Sequence, residues 1–206
     1  MKPLPTLLAI LALNVSLAPP LAAQTLDTDG DGVPDASEVL LGTDPMVADT
    51  DGDGTNDLAD TEASFGPNPM KMDGPAAPFQ VAEALVENNY DPAKKADATD
   101  HLELLIKNPG TTDLTGFSIY VSIKDADSGA VEGSFRKLEG FVVPAGSEAR
   151  IHLDEGTEPG HFRANPNSIY VTSQAAKSFS VALQADGFAP AVFEIAKDKG
   201  KPEAAD

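Results

Sequence analysis

From Phe79 to Ala196 the chain alternates apolar and polar residues in short runs, the period-two pattern of half-buried strands. The runs are His101–Lys107, Gly116–Lys124, Ala149–Leu153, Ser168–Thr172, Phe179–Leu183 and Ala191–Ile195, and Gly133–Val143 adds a further pair. Turn chemistry punctuates them at Asn108-Pro-Gly, Asp127-Ser-Gly, Pro144-Ala-Gly and Ala185-Asp-Gly. That predicts seven or eight short strands, which two antiparallel sheets packed face to face would bury most simply. Phe117, Ile119, Val121 and Ile123 share the core face of one strand, and Tyr120 on the other face is expected near solvent or a sheet edge. Phe79–Asn89 fits either a helix, through Val81, Ala84, Leu85 and Asn88, or a leading edge strand. The tail from Lys197 reads as frayed.

The first third of the chain has a different pattern. Asp27-Thr-Asp-Gly-Asp-Gly-Val-Pro-Asp-Ala-Ser-Glu38 and Asp49-Thr-Asp-Gly-Asp-Gly-Thr-Asn-Asp-Leu-Ala-Asp60 set carboxylates at alternate positions around a glycine turn. Between Gln24 and Glu62 there are 12 acidic residues and no Lys or Arg. So many like charges in one segment repel unless a multivalent cation neutralises them. Calcium takes six to eight hard oxygens at about 2.3–2.6 Å and tolerates irregular geometry. In the first loop the candidate ligands are Asp27, Asp29, Asp31, the carbonyl of Val33, Asp35 and Glu38, with Gly32 at the sixth position. In the second they are Asp49, Asp51, Asp53, the carbonyl of Thr55, Asp57 and Asp60, with Gly54 at the turn. The shorter arm of Asp60 predicts a different and weaker closing grip, which Glu62 is placed to replace. An ordinary EF-hand needs an incoming helix and a backbone N–H at the eighth position, where Pro34 has none. Val39-Leu-Leu-Gly42 predicts a helical turn or two ended at the glycine.

The stretch from Asp27 to Asp60, DTDGDGVPDASEVLLGTDPMVADTDGDGTNDLAD, resembles the thrombospondin type 3 calcium repeat in the form found in exported bacterial proteins. The resemblance implies structural Ca²⁺ ions sharing carboxylates, a chain wrapped around metal with little core, and a turn-capping or bridging role for Asp44. The animal repeats carry disulfides, and this chain has no cysteine, so metal alone would hold the segment. Dockerin modules also carry two aspartate loops, but Thr61-Glu-Ala-Ser-Phe-Gly-Pro67 breaks the helix they need after the second. Leu102–Thr111 followed by Leu114–Tyr120 resembles an early hairpin of an immunoglobulin-like or fibronectin type III-like domain. The expected fold class is mainly β: a calcium-loop segment with little regular structure, linked to an antiparallel Ig-like β-sandwich.

Met1-Lys2 and the apolar run Leu4–Ala18 read as a secretory signal peptide with cleavage after Ala23, which predicts an exported protein, periplasmic or extracellular. The expected division is a signal peptide at 1–23, calcium segment at 24–62, Pro/Gly linker at 63–78, sandwich at 79–196 and flexible tail at 197–206. No segment is long enough to predict a membrane span. The absence of cysteine excludes thiol chemistry and thiolate metal sites. A net charge of −19 argues against nucleic acid as a partner, because phosphate neutralisation needs the opposite sign. His101, His152 and His161 share no ligand spacing and read as surface or strand-lining imidazoles. No nucleophile elbow or zinc-hydrolase motif is present, and Trp, on which sugar faces stack, is absent. The expected function is a non-catalytic, calcium-stiffened arm with a sandwich that engages a protein or cell-surface partner, or else an accessory subunit docking on a larger exported enzyme or surface assembly. Pro159–Asn167, the longest irregular stretch of the sandwich, is either a recognition loop or a plain connection between two sheets.

Overall fold

The computed structural model describes residues 26–87, 90–91, 96–97, 101–154 and 156–199. The proposed leader, residues 1–23, lies outside them. In chain order the elements are α1 (Asp35–Leu41), β1 (Gln80–Glu87), β2 (Tyr90–Asp91), β3 (Ala96–Asp97), β4 (His101–Lys107), β5 (Ser118–Asp125), β6 (Val131–Lys137), β7 (Glu148–Asp154), β8 (His161–Arg163), α2 (Ile169–Thr172), β9 (Lys177–Gln184) and β10 (Ala191–Lys197). Sheet one has the order β1-β4-β7-β8 and sheet two β10-β9-β5-β6, while β2 and β3 form a separate hairpin. All neighbours are antiparallel except the three-residue β8, which runs parallel to β7.

The alternating runs bury one face each. Leu102, Leu104 and Ile106 on β4 and Ile151 and Leu153 on β7 meet Phe117, which leads into β5, and Ile119 and Val121 within it. Phe179, Val181 and Leu183 of β9 complete that face, and all belong to one cluster. Phe117 lies within aromatic contact of Phe79 and Phe141, with ring centroids 5.5 and 5.2 Å apart. Phe79–Asn89 resolves as strand over 80–87. A bulge between Val81 and Glu83 switches parity, so that Val81, Ala84 and Val86 all pack against the core.

Four expectations are corrected. Ser168–Thr172 is not a strand: the Ser168 hydroxyl caps Tyr170 N at 3.1 Å, and the short α2 turns Tyr170 against Phe179 at 5.3 Å. Gly133–Val143 supplies one strand, β6, and then a turn closed by the Leu114–Val143 bridge. Lys197 is not frayed: it ends β10 opposite Lys177 and is buried.

Tyr120 is also not near solvent. It joins Met70 and Ala182, with Phe135 beside them, in a second cluster on the outer face of sheet two. Its hydroxyl donates to the Gly66 carbonyl at 3.0 Å. Residues 64–66 lie along β6: Gly66 N donates to Gly133 O at 2.9 Å, and Gly133 N to Ser64 O at 3.1 Å. One residue pair further, Phe135 N donates to Asp51 O at 2.7 Å. The β6 edge of sheet two is therefore covered by Asp51 of the second loop and by the chain that leads out of it, which satisfies backbone groups an open edge would expose.

Candidate metal centre

The two acidic loops fold as copies of each other, offset by one repeat. Asp27 accepts from Gly30 N and Gly32 N at 2.8 and 3.1 Å, and Asp49 from Gly52 N and Gly54 N at 2.9 and 3.0 Å. Asp29 and Asp51 each accept from the N–H two residues on, as do Asp31 and Asp53. Gly32 and Gly54 sit at φ 101° and 99°, where a Cβ is disfavoured, which accounts for glycine at the sixth position. These turns curl each loop until one oxygen from Asp27, Asp29 and Asp31 lies within 4.8 Å of the others, and likewise for Asp49, Asp51 and Asp53.

The ninth-position carboxylates are placed differently. Asp35 spends both oxygens on Thr28, accepting from its N–H at 2.8 Å and its hydroxyl at 2.7 Å. Asp57 does the same for Thr50, at 2.9 and 2.7 Å. Both residues therefore clasp the start of their loop to its end. The twelfth positions diverge, as Glu and Asp do in sequence. Glu38, on α1, is fully buried, and Oε1 accepts from the Thr43 hydroxyl at 3.3 Å. Asp60 is half-buried and accepts from Glu62 N at 2.8 Å. Val33 is buried and Thr55 exposed. Gly42, at φ 81°, ends α1 by donating to Glu38 O at 2.8 Å, as its position predicted.

The carboxylates crowd one another. Burial, reinforced by the charges of Asp29, Asp31 and Asp35, pushes Glu38 up to about 7. Burial and the neighbouring Asp53, Asp60 and Asp49 push Asp51 up to about 6. Asp29 and Asp57 are also raised, chiefly by desolvation. Asp29 Oδ2, Asp31 Oδ2, Glu38 Oε2 and Asp51 Oδ2 are buried with no hydrogen-bond partner. Buried carboxylate oxygens without donors are costly, and a bound cation would compensate that cost. An all-oxygen donor set of this charge fits a hard divalent ion of the calcium class.

The segment is fastened to the sandwich by residues that lie far away in sequence. Asp44 N donates to the Thr50 hydroxyl oxygen at 2.8 Å, and its carboxylate caps Met46 N at 3.1 Å. The same carboxylate grips the Arg163 guanidinium bidentately, with Nε at 2.8 Å and Nη2 at 2.7 Å. Asn165 and Asn167 each donate at 2.7 Å, to the carbonyls of Gly42 and Thr43. Pro159–Asn167 thus recognises its own chain. The family resemblance implied a turn-capping or bridging role for Asp44, which does cap Met46 N, whereas Arg163, Asn165 and Asn167 carry no local signal that singles them out. His152 and His161, read as strand-lining imidazoles without shared ligand spacing, converge: their rings stack with centroids 4.4 Å apart.

Residues 27–48 match the bacterial TSP3 repeat family. The first loop, α1 and the Asp44 bridge thus lie in a stretch similar to known repeats of that type. No curated protein sequence matches the chain. Among solved structures, the Pseudomonas fluorescens alkylpurine DNA glycosylase AlkC is similar at 14% identity and a TM-score of 0.33, over 58% of this chain and 30% of that one. A β-glucuronidase from glycoside hydrolase family 2 aligns at 15% identity and TM-score 0.35, over 60% of this chain and 13% of the enzyme. The Bacillus subtilis sporulation control protein Spo0M aligns at 12% identity and TM-score 0.31, over 58% and 48%. The chain spans less than half the length of each of these proteins. At such TM-scores the likenesses carry no argument about function. Among the described residues, no helix is long and apolar enough to cross a membrane.

Proposed function

We propose that the protein is an exported, non-catalytic calcium-binding module, periplasmic or extracellular, in which Ca²⁺ locks a TSP3-like segment against an Ig-like β-sandwich that engages a protein or cell-surface partner. The observation that carries the reading is the set of unpartnered buried oxygens on Asp29, Asp31, Glu38 and Asp51. Calcium would be held by Asp27, Asp29, Asp31 and Glu38 in the first loop and by Asp49, Asp51, Asp53 and Asp60 in the second. The carbonyls of Val33 and Thr55 add backbone oxygens in the family pattern. Asp35 and Asp57 act by clasping the loops. Bound calcium cancels the mutual repulsion of the carboxylates and supplies folding energy to a segment whose Val39, Leu40, Leu41 and Leu58 remain exposed.

The three consecutive apolar residues on α1 also support contact with a larger body. Val39, Leu40 and Leu41 are 60, 87 and 55% exposed, which leaves apolar surface beside an acidic one. That surface favours the accessory-subunit form of the reading over a free spacer.

Calorimetric titration of the full chain with calcium, beside the Asp29→Ala/Asp51→Ala double variant, tests the proposal. Stoichiometric binding lost in the variant supports it. Absence of binding to the wild type at the millimolar calcium typical of extracellular sites refutes it.

A further inference from the structure

Among the described residues, a third group of metal-ligand side chains meets at the edge of sheet one. We propose that His152, Asp154 and His161 bind a divalent transition ion, zinc by first preference, at a site independent of the calcium loops. The parallel pairing of β7 with β8 sets His152 opposite His161, and Asp154 follows two residues along the same face of β7. The two imidazoles stack with planes 7° apart. The Asp154 carboxylate reaches His161 Nδ1 at 2.8 and 3.0 Å, and its Oδ1 also accepts from Gly156 N at 2.7 Å. One donor atom from each of the three side chains lies within 4.8 Å of the others.

Zinc bonds nitrogen and carboxylate oxygen at about 2.0–2.2 Å, so tetrahedral donors sit roughly 3.4 Å apart. The widest donor pair therefore has to close by no more than roughly 1.5 Å, while Asp154 and His161 Nδ1, 2.8 Å apart, have to open by roughly 0.6 Å. Stacked rings aim their lone pairs in parallel, so binding requires one imidazole to rotate out of the stack. The room exists. A groove of about 500 Å³, lined in part by Phe141, Thr157 and Glu158, opens beside both histidines. The side chains of His152, Asp154 and His161 are 19, 17 and 24% exposed, which leaves one side open to an entering ion.

The donor set separates this site from the loops by chemistry. Two imidazoles and one carboxylate suit zinc and its neighbours, whereas calcium prefers oxygen alone. The surroundings also match a metal-supporting shell. Glu103, the register partner of His152 on β4, brings Oε2 to 3.8 Å from His152 Nδ1. From there it can orient the ring and balance charge. Three protein ligands leave at least one coordination position facing the groove.

Zinc chloride is titrated by calorimetry into the full chain held in saturating calcium, so that the carboxylate loops are occupied. Wild type, His161→Ala and His152→Ala are compared, with cobalt(II) absorption as a second readout of nitrogen ligation. The expected result is one equivalent of zinc at micromolar affinity, weakened at least about tenfold in each variant with calcium stoichiometry unchanged. If a histidine variant fails to fold, Asp154→Asn gives the same comparison without removing a ring. Absence of zinc uptake below about 100 µM, or equal binding in wild type and all variants, overturns the proposal and leaves an Asp–His hydrogen bond that merely closes the loop.

Discussion

Glu38→Gln is expected to invert the stability order of the protein according to whether calcium is present. The Glu38 carboxylate is fully buried, its Oε2 has no donor among protein groups, and Asp29, Asp31 and Asp35 repel it. Its folded-state value, about 7, lies above its ordinary 4.5. For an acid shifted upward, folding favours the protonated form. That contribution is fully present below the unfolded value and is lost as pH rises through the folded one. A shift from 4.5 to about 7 amounts to about 3 kcal/mol of penalty once the group is fully ionised. Glutamine keeps the shape and removes the charge, so with a chelator at about pH 8 the variant gains up to that amount, or roughly 6–12 °C in Tm for a chain of this size. At about pH 4 the gain vanishes, because wild-type Glu38 is already neutral. With calcium saturating, the sign reverses: the variant has lost a carboxylate ligand and binds more weakly, so wild type becomes the more stable. Thermal and urea unfolding in chelator and in calcium, at both pH values, measure all four corners. A variant less stable than wild type in chelator at high pH, or one with unchanged calcium affinity, refutes the assignment of Glu38 as a strained closing ligand.

Calcium binding by the wild type is expected to weaken as pH falls through about 7 and then about 6, where protons compete for Glu38 and Asp51; calorimetry with proton-release detection checks this. Gly52→Ala is expected to destabilise well beyond Gly30→Ala. Both glycines have φ near 75°, which costs an alanine about 1–2 kcal/mol, but only at Gly52 would the new Cβ collide with the Phe135 carbonyl. Equal losses in the two variants, by urea unfolding, would show that the second loop does not pack on β6. Arg163→Ala leaves the buried Asp44 carboxylate without its guanidinium and is expected to cost about 2 kcal/mol. The assay is limited proteolysis within 42–52, with the sandwich transition unchanged. Tyr120→Phe removes the hydrogen bond to Gly66 and should cost about 1 kcal/mol, read by denaturant unfolding.

Much of the geometry of the acidic loops was legible because its determinants are local. An aspartate that accepts from the N–H two or three residues on, and a glycine at positive φ, set a loop within a dozen residues, and the chain repeats the arrangement. The core strands were legible for the same reason: alternation on β4, β5 and β9 faces one side inward whatever the partner. Tertiary structure decided what depends on distant neighbours. Asp35 and Asp57 stand at ligand spacing, and the fold adds that their oxygens accept from Thr28 and Thr50, so that closing each loop satisfies two donors at once. Ser168–Thr172 alternates like a strand but turns into α2, because Tyr170 fills the core against Phe179. The residues 63–78 carry a linker's composition, yet Ser64–Gly66 pair with β6 and Met70 packs on Tyr120, since an uncovered sheet edge and a buried tyrosine hydroxyl both need partners. Arg163 meets Asp44 across 119 positions, and His152 meets His161 through a parallel register. Spacing along a chain specifies which groups its own turns bring together. Packing of two sheets and a docked loop segment specifies the rest, because only burial and register bring residues so far apart in sequence within bonding distance.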